Sequence, residues 1–335
     1  MTAEGPLVSA VVPTFENELT LPAALGSLAA QELDGDVELI CVDGGSSDAT
    51  VRIAEDHGAR VVRNPLRDEE EGRALGVEAA TGELVLLLDA DNELPRRDWL
   101  ARLVRATQLA PDVVSADPLY HEWRPQDPPV TRLCALLGGT DPLAIELGWA
   151  DRWSFHLRRW TGLEFEAEDA GDALIVRVDP AQPPPMGSNG FLVRRDALLA
   201  TRYRPFVHSD VVGDLAEAGY RFARVREGIV HHYAPTLRAY ARKARRRARR
   251  SVAAGPTQRR GFRVGRGRLL VRVAWSLSII GPAIAAIRGY RARPDPAWAL
   301  LPVLSLITTL TYAREFARAR LAGAGARVRG GYPPS

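Results

Sequence analysis

The chain is short of several features that would have pointed elsewhere. It has two cysteines, Cys41 and Cys134, both set among apolar neighbours. That number excludes a disulfide framework and fits a reducing compartment. Lysine occurs once, at Lys243, among 44 basic residues. Such pure arginine usage points to a GC-rich coding sequence rather than to function. The chain opens M-T-A-E-G-P and runs straight into an apolar strand, so no secretory signal is expected. The first apolar run is followed by P-T-F-E-N-E, an acidic turn. A loop that cradles a triphosphate is Gly-rich and basic, so this turn argues against a nucleotidyltransferase.

What is present is unevenly charged. From Leu237 onward there are 22 basic residues against two acids, Asp295 and Glu315, a net of +20. Residues 1–236 keep 22 bases and 39 acids, a net of −17. An asymmetry of this size assigns contact with anions to the C-terminal part. At 335 residues the chain has room for one large domain and an appendage.

Three apolar runs end in polar residues. Val8 to Val12 break at Pro13-Thr14-Phe15-Glu16, and a helix through Leu21, Leu25 and Leu28 follows. Residues 37–42 run into Asp43-Gly44-Gly45-Ser46-Ser47-Asp48, where the glycines permit a tight turn and Asp48 caps the next helix. Residues 84–88 run into Asp89-Ala90-Asp91. The alternation β-α-β-α-β-α-β argues a doubly wound parallel sheet, whose ligands bind outside the carboxyl ends of the strands. Two carboxylates one residue apart at such an end suit Mg2+ or Mn2+ carrying the phosphates of a nucleotide. Alone, a D-x-D is as consistent with a solvated acidic turn.

The succession V-V-P-T-F-E-N-E, D-G-G-S-S-D-A-T and G-R-A-L-G-V-E-A-A-T-G-E-L-V-L-L-L-D-A-D resembles the motifs of family-2 glycosyltransferases with the GT-A fold, over roughly residues 7–235. The resemblance implies an α/β fold with a GT-A-like doubly wound mixed sheet, and a transferase of the inverting, metal-dependent type. It implies a nucleotide-sugar donor, with Pro13, Thr14, Phe15, Glu16, Asp43 and Gly44 around base and ribose. Arg73, Asp89, Ala90 and Asp91 would then lie near the phosphates. Asp91 is the first choice as ligand of Mn2+ or Mg2+, with Asp89 sharing metal or ribose and His231 completing the shell. In the family a loop like Gly187-Ser188-Asn189-Gly190 lies under the donor sugar, which implicates Asn189. Many relatives carry Glu-Asp-x-Asp where this chain reads Phe206-Val207-His208-Ser209-Asp210. His208 then stands in place of the usual catalytic Asp, and Asp210 is the carboxylate left to act as base or to orient the acceptor. An acceptor that is already an ionised phosphate needs little base, which fits a weakened motif and a polyprenyl phosphate or another lipid-linked acceptor.

The expected organisation is a catalytic domain over 1–235, with a nucleotide-binding half to 115 and an acceptor half, irregular over 116–180, beyond it. A basic juxtamembrane helix over 236–268, two apolar helices over 269–313 and a basic tail over 314–335 follow. The run R-A-Y-A-R-K-A-R-R-R-A-R-R lacks interleaved aromatics beyond Tyr240, so an anionic membrane surface is the expected partner and not nucleic acid. The apolar stretches 269–287 and 296–313 are borderline for spanning a bilayer. Short spans, a re-entrant hairpin, interfacial helices and a packed helical pair all fit them. Arginines outside both ends favour a hairpin with the catalytic domain in the cytoplasm, while Arg288, Arg291 and Arg293 in the intervening loop oppose it. A non-catalytic sugar-nucleotide-binding scaffold is the rival from another class, and the survival of Asp43, Asp89 and Asp91 opposes it.

Overall fold

The computed structural model describes residues 5–254, 259–260 and 264–329. The end of the expected basic tail, from 330 on, lies outside the described residues. β1 (Val8–Thr14), α1 (Leu21–Ala29), β2 (Val37–Asp43), α2 (Thr50–Asp56), β3 (Arg60–Arg63), α3 (Glu69–Ala79) and β4 (Leu84–Leu87) alternate as the sequence pattern requires. β5 (Asn92–Glu93), α4 (Trp99–Thr107) and β6 (Val113–His121) follow. Next come α5 (Pro129–Leu137), α6 (Pro142–Leu147) and the strands β7 (Phe165–Asp169) and β8 (Ala173–Val178). β9 (Phe191–Arg194), α7 (Arg195–Leu199), α8 (His208–Glu217) and β10 (Arg221–His231) complete the sheet region. Then come α9 (Leu237–Ala254), α10 (Arg266–Leu277), α11 (Ile280–Ala292), a 3-10 turn at Pro296–Leu300 and α12 (Leu301–Arg329).

The strands form one sheet in the order β3-β2-β1-β4-β9-β6-β10-β8-β7, with β5 paired to β10. β1, β2, β3 and β4 are parallel neighbours, as are β6 and β10, whereas β9 runs antiparallel between β4 and β6. The sheet is therefore mixed. Residues on β1 alternate between two cores: Val8, Ala10 and Val12 pack with α1 and α4, and Val11 packs with α3 and α8. α3 lies close because position 76 is glycine; a Cβ there would stand 2.1 Å from Val11 Cγ1. Asp68 fixes the start of α3 by accepting from the backbone N–H groups of Glu70 and Glu71 at 2.9 and 3.1 Å.

Two expectations need correction. The stretch 116–180 is not irregular: it holds most of β6, α5, α6 and the β7–β8 hairpin. Its strand pattern is masked by Asp117, a buried carboxylate paired at 2.9 Å with Arg152 and at 2.6 Å with Arg224. The apolar stretch 269–287 is also not one helix. It breaks between α10 and α11, which meet at 80°. Among the described helices, Pro296–Leu321 is long and apolar enough to cross a membrane, and 39% of its most apolar window is buried inside the protein. It packs with α9, α10, α11 and α6. A third core joins these helices to α5: Leu133, Cys134 and Leu137 meet Tyr240, Ala244, Ala285, Trp298 and Leu304. The tail is thus built onto α5 and α6.

Candidate active site

The carboxyl ends of β1, β2, β4 and β10 converge on a cleft of about 350 Å3. Pro13, Thr14 and Phe15 line it from β1, Val42 and Gly44 from β2, and Asp89, Ala90 and Asp91 from β4. His231 and Tyr233 close it from β10. The opposite wall is α9, which contributes Lys243, Arg246, Arg247 and Arg250. Their spacing of three, four and seven residues places them on one helical face.

The turn after β4 is held by Asn92: Asp89 N–H donates to its side-chain Oδ1 at 3.0 Å, and Asn92 N–H donates back to Asp89 C=O at 2.9 Å. Asp89 Oδ1 accepts from Arg73 at 2.5 Å, and the same guanidinium donates to Glu69 at 2.6 Å. Asp91 faces His231 and Lys243. Its Oδ1 lies 3.4 Å from His231 Nε2, and its Oδ2 accepts from Lys243 Nζ at 2.8 Å. Burial alone would raise the Asp91 pKa, but His231 and Lys243 outweigh it and hold the carboxyl well below its usual range. Arg73, opposed by burial and joined by Arg250, does the same for Glu69. α9 is tied down at both sides of the cleft. Arg250 donates to Glu69 at 2.8 Å; Arg247 donates to Thr140 Oγ1 at 2.7 Å and lies 3.4 Å from Asp141. Tyr233 supports this wall from below, with Lys243 Nζ 4.7 Å and Arg247 Cζ 5.6 Å from its ring centre.

Residues 9–149 match the sequence model of glycosyl transferase family 2. That segment, which carries the first six strands and α5 and α6, is similar in sequence to this family. A PGL/p-HBAD biosynthesis glycosyltransferase of Mycobacterium tuberculosis (strain ATCC 25177 / H37Ra) is 41% identical over 107 residues, which cover 30% of this chain and 41% of that protein. An undecaprenyl-phosphate 4-deoxy-4-formamido-L-arabinose transferase of Aeromonas hydrophila is 34% identical over 117 residues, 32% of this chain and 36% of that protein. The chain thus spans about two fifths of the length of these curated relatives. A mannosyltransferase of Pyrobaculum calidifontis, solved in complex with GDP-Man and Mn2+, shares the fold. Its TM-score is 0.52 over 96% of this chain and 88% of its own, at 18% identity.

The expected site residues divide. Pro13, Thr14, Phe15, Gly44, Asp89, Ala90, Asp91 and His231 line the cleft, and Arg73 supports Asp89 from beneath. Glu16, Asp43, Asn189, His208 and Asp210 are not among the lining residues. Asp43 is spent on its own turn. It accepts from Gly45 N–H at 2.7 Å, Ser46 N–H at 2.9 Å, Ser46 Oγ at 2.6 Å and Thr14 Oγ1 at 3.2 Å. These occupy the lone-pair positions of a carboxylate, which leaves none for a nucleobase. Glu16 ties the first turn to the second by accepting from Ser47 N–H and Ser47 Oγ, both at 2.8 Å.

Asn189 sits in a left-handed loop held from within: Arg152 donates to the carbonyls of Ser188 and Asn189 at 3.2 and 2.9 Å. His208, at the start of α8, donates from Nδ1 to Gly187 C=O at 3.0 Å. Burial, and then the Arg73 charge, push its pKa down to about 3. It is a neutral ring at physiological pH and a poor proton acceptor. Asp210 accepts the backbone N–H groups of Arg259 and Arg260 at 3.1 and 2.7 Å, so it anchors the segment after α9.

Sequence reasoning missed Asn64, Arg67, Tyr233 and the α9 wall. Arg67 lies over Phe15, its Cζ 5.7 Å from the ring centre. The α9 cations were visible as a run but were assigned to lipid; the spacing of 243, 246, 247 and 250 is the signal that could have found them. Among the described residues no group of three or more His, Cys, Asp or Glu side chains is arranged to hold a metal ion. Asp91 and His231 form a convergent pair, and that suffices for a Mg2+ or Mn2+ that takes its remaining ligands from phosphate oxygens and water. The donor set therefore fits the ion.

Proposed function

We propose that the protein is an inverting glycosyltransferase that moves a sugar from a UDP- or GDP-sugar to a lipid-linked acceptor, polyprenyl phosphate or a lipid-linked glycan, at the cytoplasmic face of a membrane. The observation that carries this reading is the Asp89–Asp91 pair at the end of β4, facing the cations of α9 across one cleft. The base and ribose would lie between Phe15, Gly44 and Arg67, and the diphosphate between Asp91 and α9. An acceptor oxygen that is already ionised, as a phosphate oxygen is, attacks the anomeric carbon from the face opposite the diphosphate, so no proton has to be removed. The bond from that carbon to the phosphate oxygen breaks, and its electron pair leaves with the nucleoside diphosphate. Arg246, Arg247 and Arg250 stabilise the charge that develops there. Asp91 and His231 would hold Mn2+ or Mg2+, which supplies Lewis-acid stabilisation of the leaving group.

Two likenesses support the donor and acceptor classes. The Pyrobaculum enzyme of the same fold was solved with GDP-Man and Mn2+, and the Aeromonas relative is an undecaprenyl-phosphate 4-deoxy-4-formamido-L-arabinose transferase. The exposed apolar side chains Leu270, Val271, Ile279 and Ile280 around the α10–α11 bend support membrane association. The test is a panel of UDP- and GDP-sugars with Mn2+, with and without polyprenyl phosphate, read by release of the nucleoside diphosphate. Release that depends on both donor and lipid phosphate is the expected outcome. No release from any donor, with intact nucleotide binding, would favour the scaffold.

A further inference from the structure

The chain uses arginine at 43 of its 44 basic positions and lysine at one, residue 243. That one ammonium meets Asp91 Oδ2 at 2.8 Å. The single lysine of the chain thus lies at the candidate site. An arginine here would grip the carboxylate with a planar fork and two parallel hydrogen bonds, whereas an ammonium is a compact point charge on a flexible stem. It is the basic side chain best suited to leave.

The surroundings permit such a departure. Arg247 and Arg250, on the same face, anchor α9 to Thr140 and Glu69. The helix can therefore stay while the Lys243 side chain, 43% exposed, swings. Asp89 is already matched by Arg73, and Asp91 is matched by Lys243. A divalent cation arriving at Asp91 and His231 would face the ammonium as a like charge beside it. A nucleoside diphosphate in the cleft removes that conflict, because its oxygens take up both cations.

We infer that Lys243 is the exchangeable counter-ion of Asp91: it holds the carboxylate in the donor-free protein, yields it to the divalent cation, and moves to the donor diphosphate. This rests on the proposed donor site. It implies that Lys243 and the metal compete at Asp91 without nucleotide and act together with it.

The experiment uses full-length protein in detergent, with Mn2+ binding followed by electron paramagnetic resonance in the absence of nucleotide. UDP and GDP affinities are then measured by calorimetry at saturating Mn2+. K243Q should bind Mn2+ about threefold more tightly than the wild type, the scale of a partly exposed ion pair. It should bind the nucleoside diphosphate about tenfold more weakly, the scale of a charged hydrogen bond. K243R, which retains the charge and grips Asp91 harder, should bind Mn2+ more weakly than the wild type. Mn2+ affinity in K243Q that is unchanged, lowered or undetectable overturns the exchange, provided its thermal melt matches the wild type. Nucleotide affinity undiminished in K243Q overturns the hand-over. If the wild type binds neither UDP nor GDP, the donor reading fails and the hand-over with it, while the Mn2+ measurement still decides the competition at Asp91.

Discussion

Residue by residue, the acidic groups of the cleft divide into those that face the ligand space and those that build the turns around it. Asp43 belongs to the second kind. Its four intrachain donors make Asp43→Ala a stability variant: the loss of buried, charge-accepting hydrogen bonds should cost about 1–3 kcal/mol in denaturant unfolding. Nucleotide affinity should fall only through the displaced Gly44. An affinity loss at full stability would instead mean that Asp43 touches the base. Asp210 is to be judged in the same way. Its carboxylate anchors Arg259 and Arg260, so Asp210→Asn should lower the melting temperature along with turnover. Lost turnover at an unchanged melting temperature would restore it as the base.

His208 gives a pH dependence of defined sign. Its folded pKa is depressed to about 3 from 6.5 by burial and the Arg73 charge. Between these values the unfolded chain binds a proton that the folded chain does not, so stability rises with pH. The contribution is complete above 6.5 and is lost as the pH falls toward 3. Unfolding measured from pH 7 to pH 4 should show a shallower acid loss in His208→Gln than in the wild type. Equal slopes would contradict the buried, neutral ring.

Among the elements, α9 deviates most from its sequence reading. Thirteen residues rich in arginine and alanine suggested a solvated helix against lipid. The structure lays one face of it across the cleft, because Tyr240, Ala244 and Ala248 on that helix are buried and fix its rotation. Such burial of a cationic helix depends on acids distant in sequence, Glu69, Asp91 and Asp141, which no local pattern connects to it. The first strands and the D-x-D turn were legible because each is a local apolar run with a polar end. β6 was legible only at its start, Val113 to Ser115, because the buried Asp117 that continues it finds its arginines at positions 152 and 224. The α9 geometry makes a face-specific prediction. Arg246→Gln and Arg250→Gln should each weaken UDP or GDP binding about tenfold and reduce its salt dependence, while Arg242→Gln, off the cleft, should do neither. Equal effects from all three would mean a diffuse charge field rather than a wall.

For the molecule as a whole, the third core decides what the tail is for. Removing everything after Ala234 would strip Leu133, Cys134 and Leu137 of their partners and take away the cationic wall of the cleft. Such a truncated chain should aggregate and should bind nucleotide poorly, in contrast to a separable anchor, whose removal would leave both properties intact. Full-length protein should sediment with membranes and resist a high-salt wash, since salt screens the arginines but not the apolar bend of α10 and α11. Complete release by salt would reduce the attachment to charge alone.

The central claim is that the cleft between β4 and α9 activates a nucleotide-sugar for transfer. Release of UDP or GDP from its donor, measured with Mn2+ and polyprenyl phosphate on full-length wild type and Asp91→Ala, tests it most directly. The account predicts steady release by the wild type, and its loss in Asp91→Ala with the thermal melt unchanged. Undiminished release in Asp91→Ala, or in the wild type with EDTA present, would contradict it.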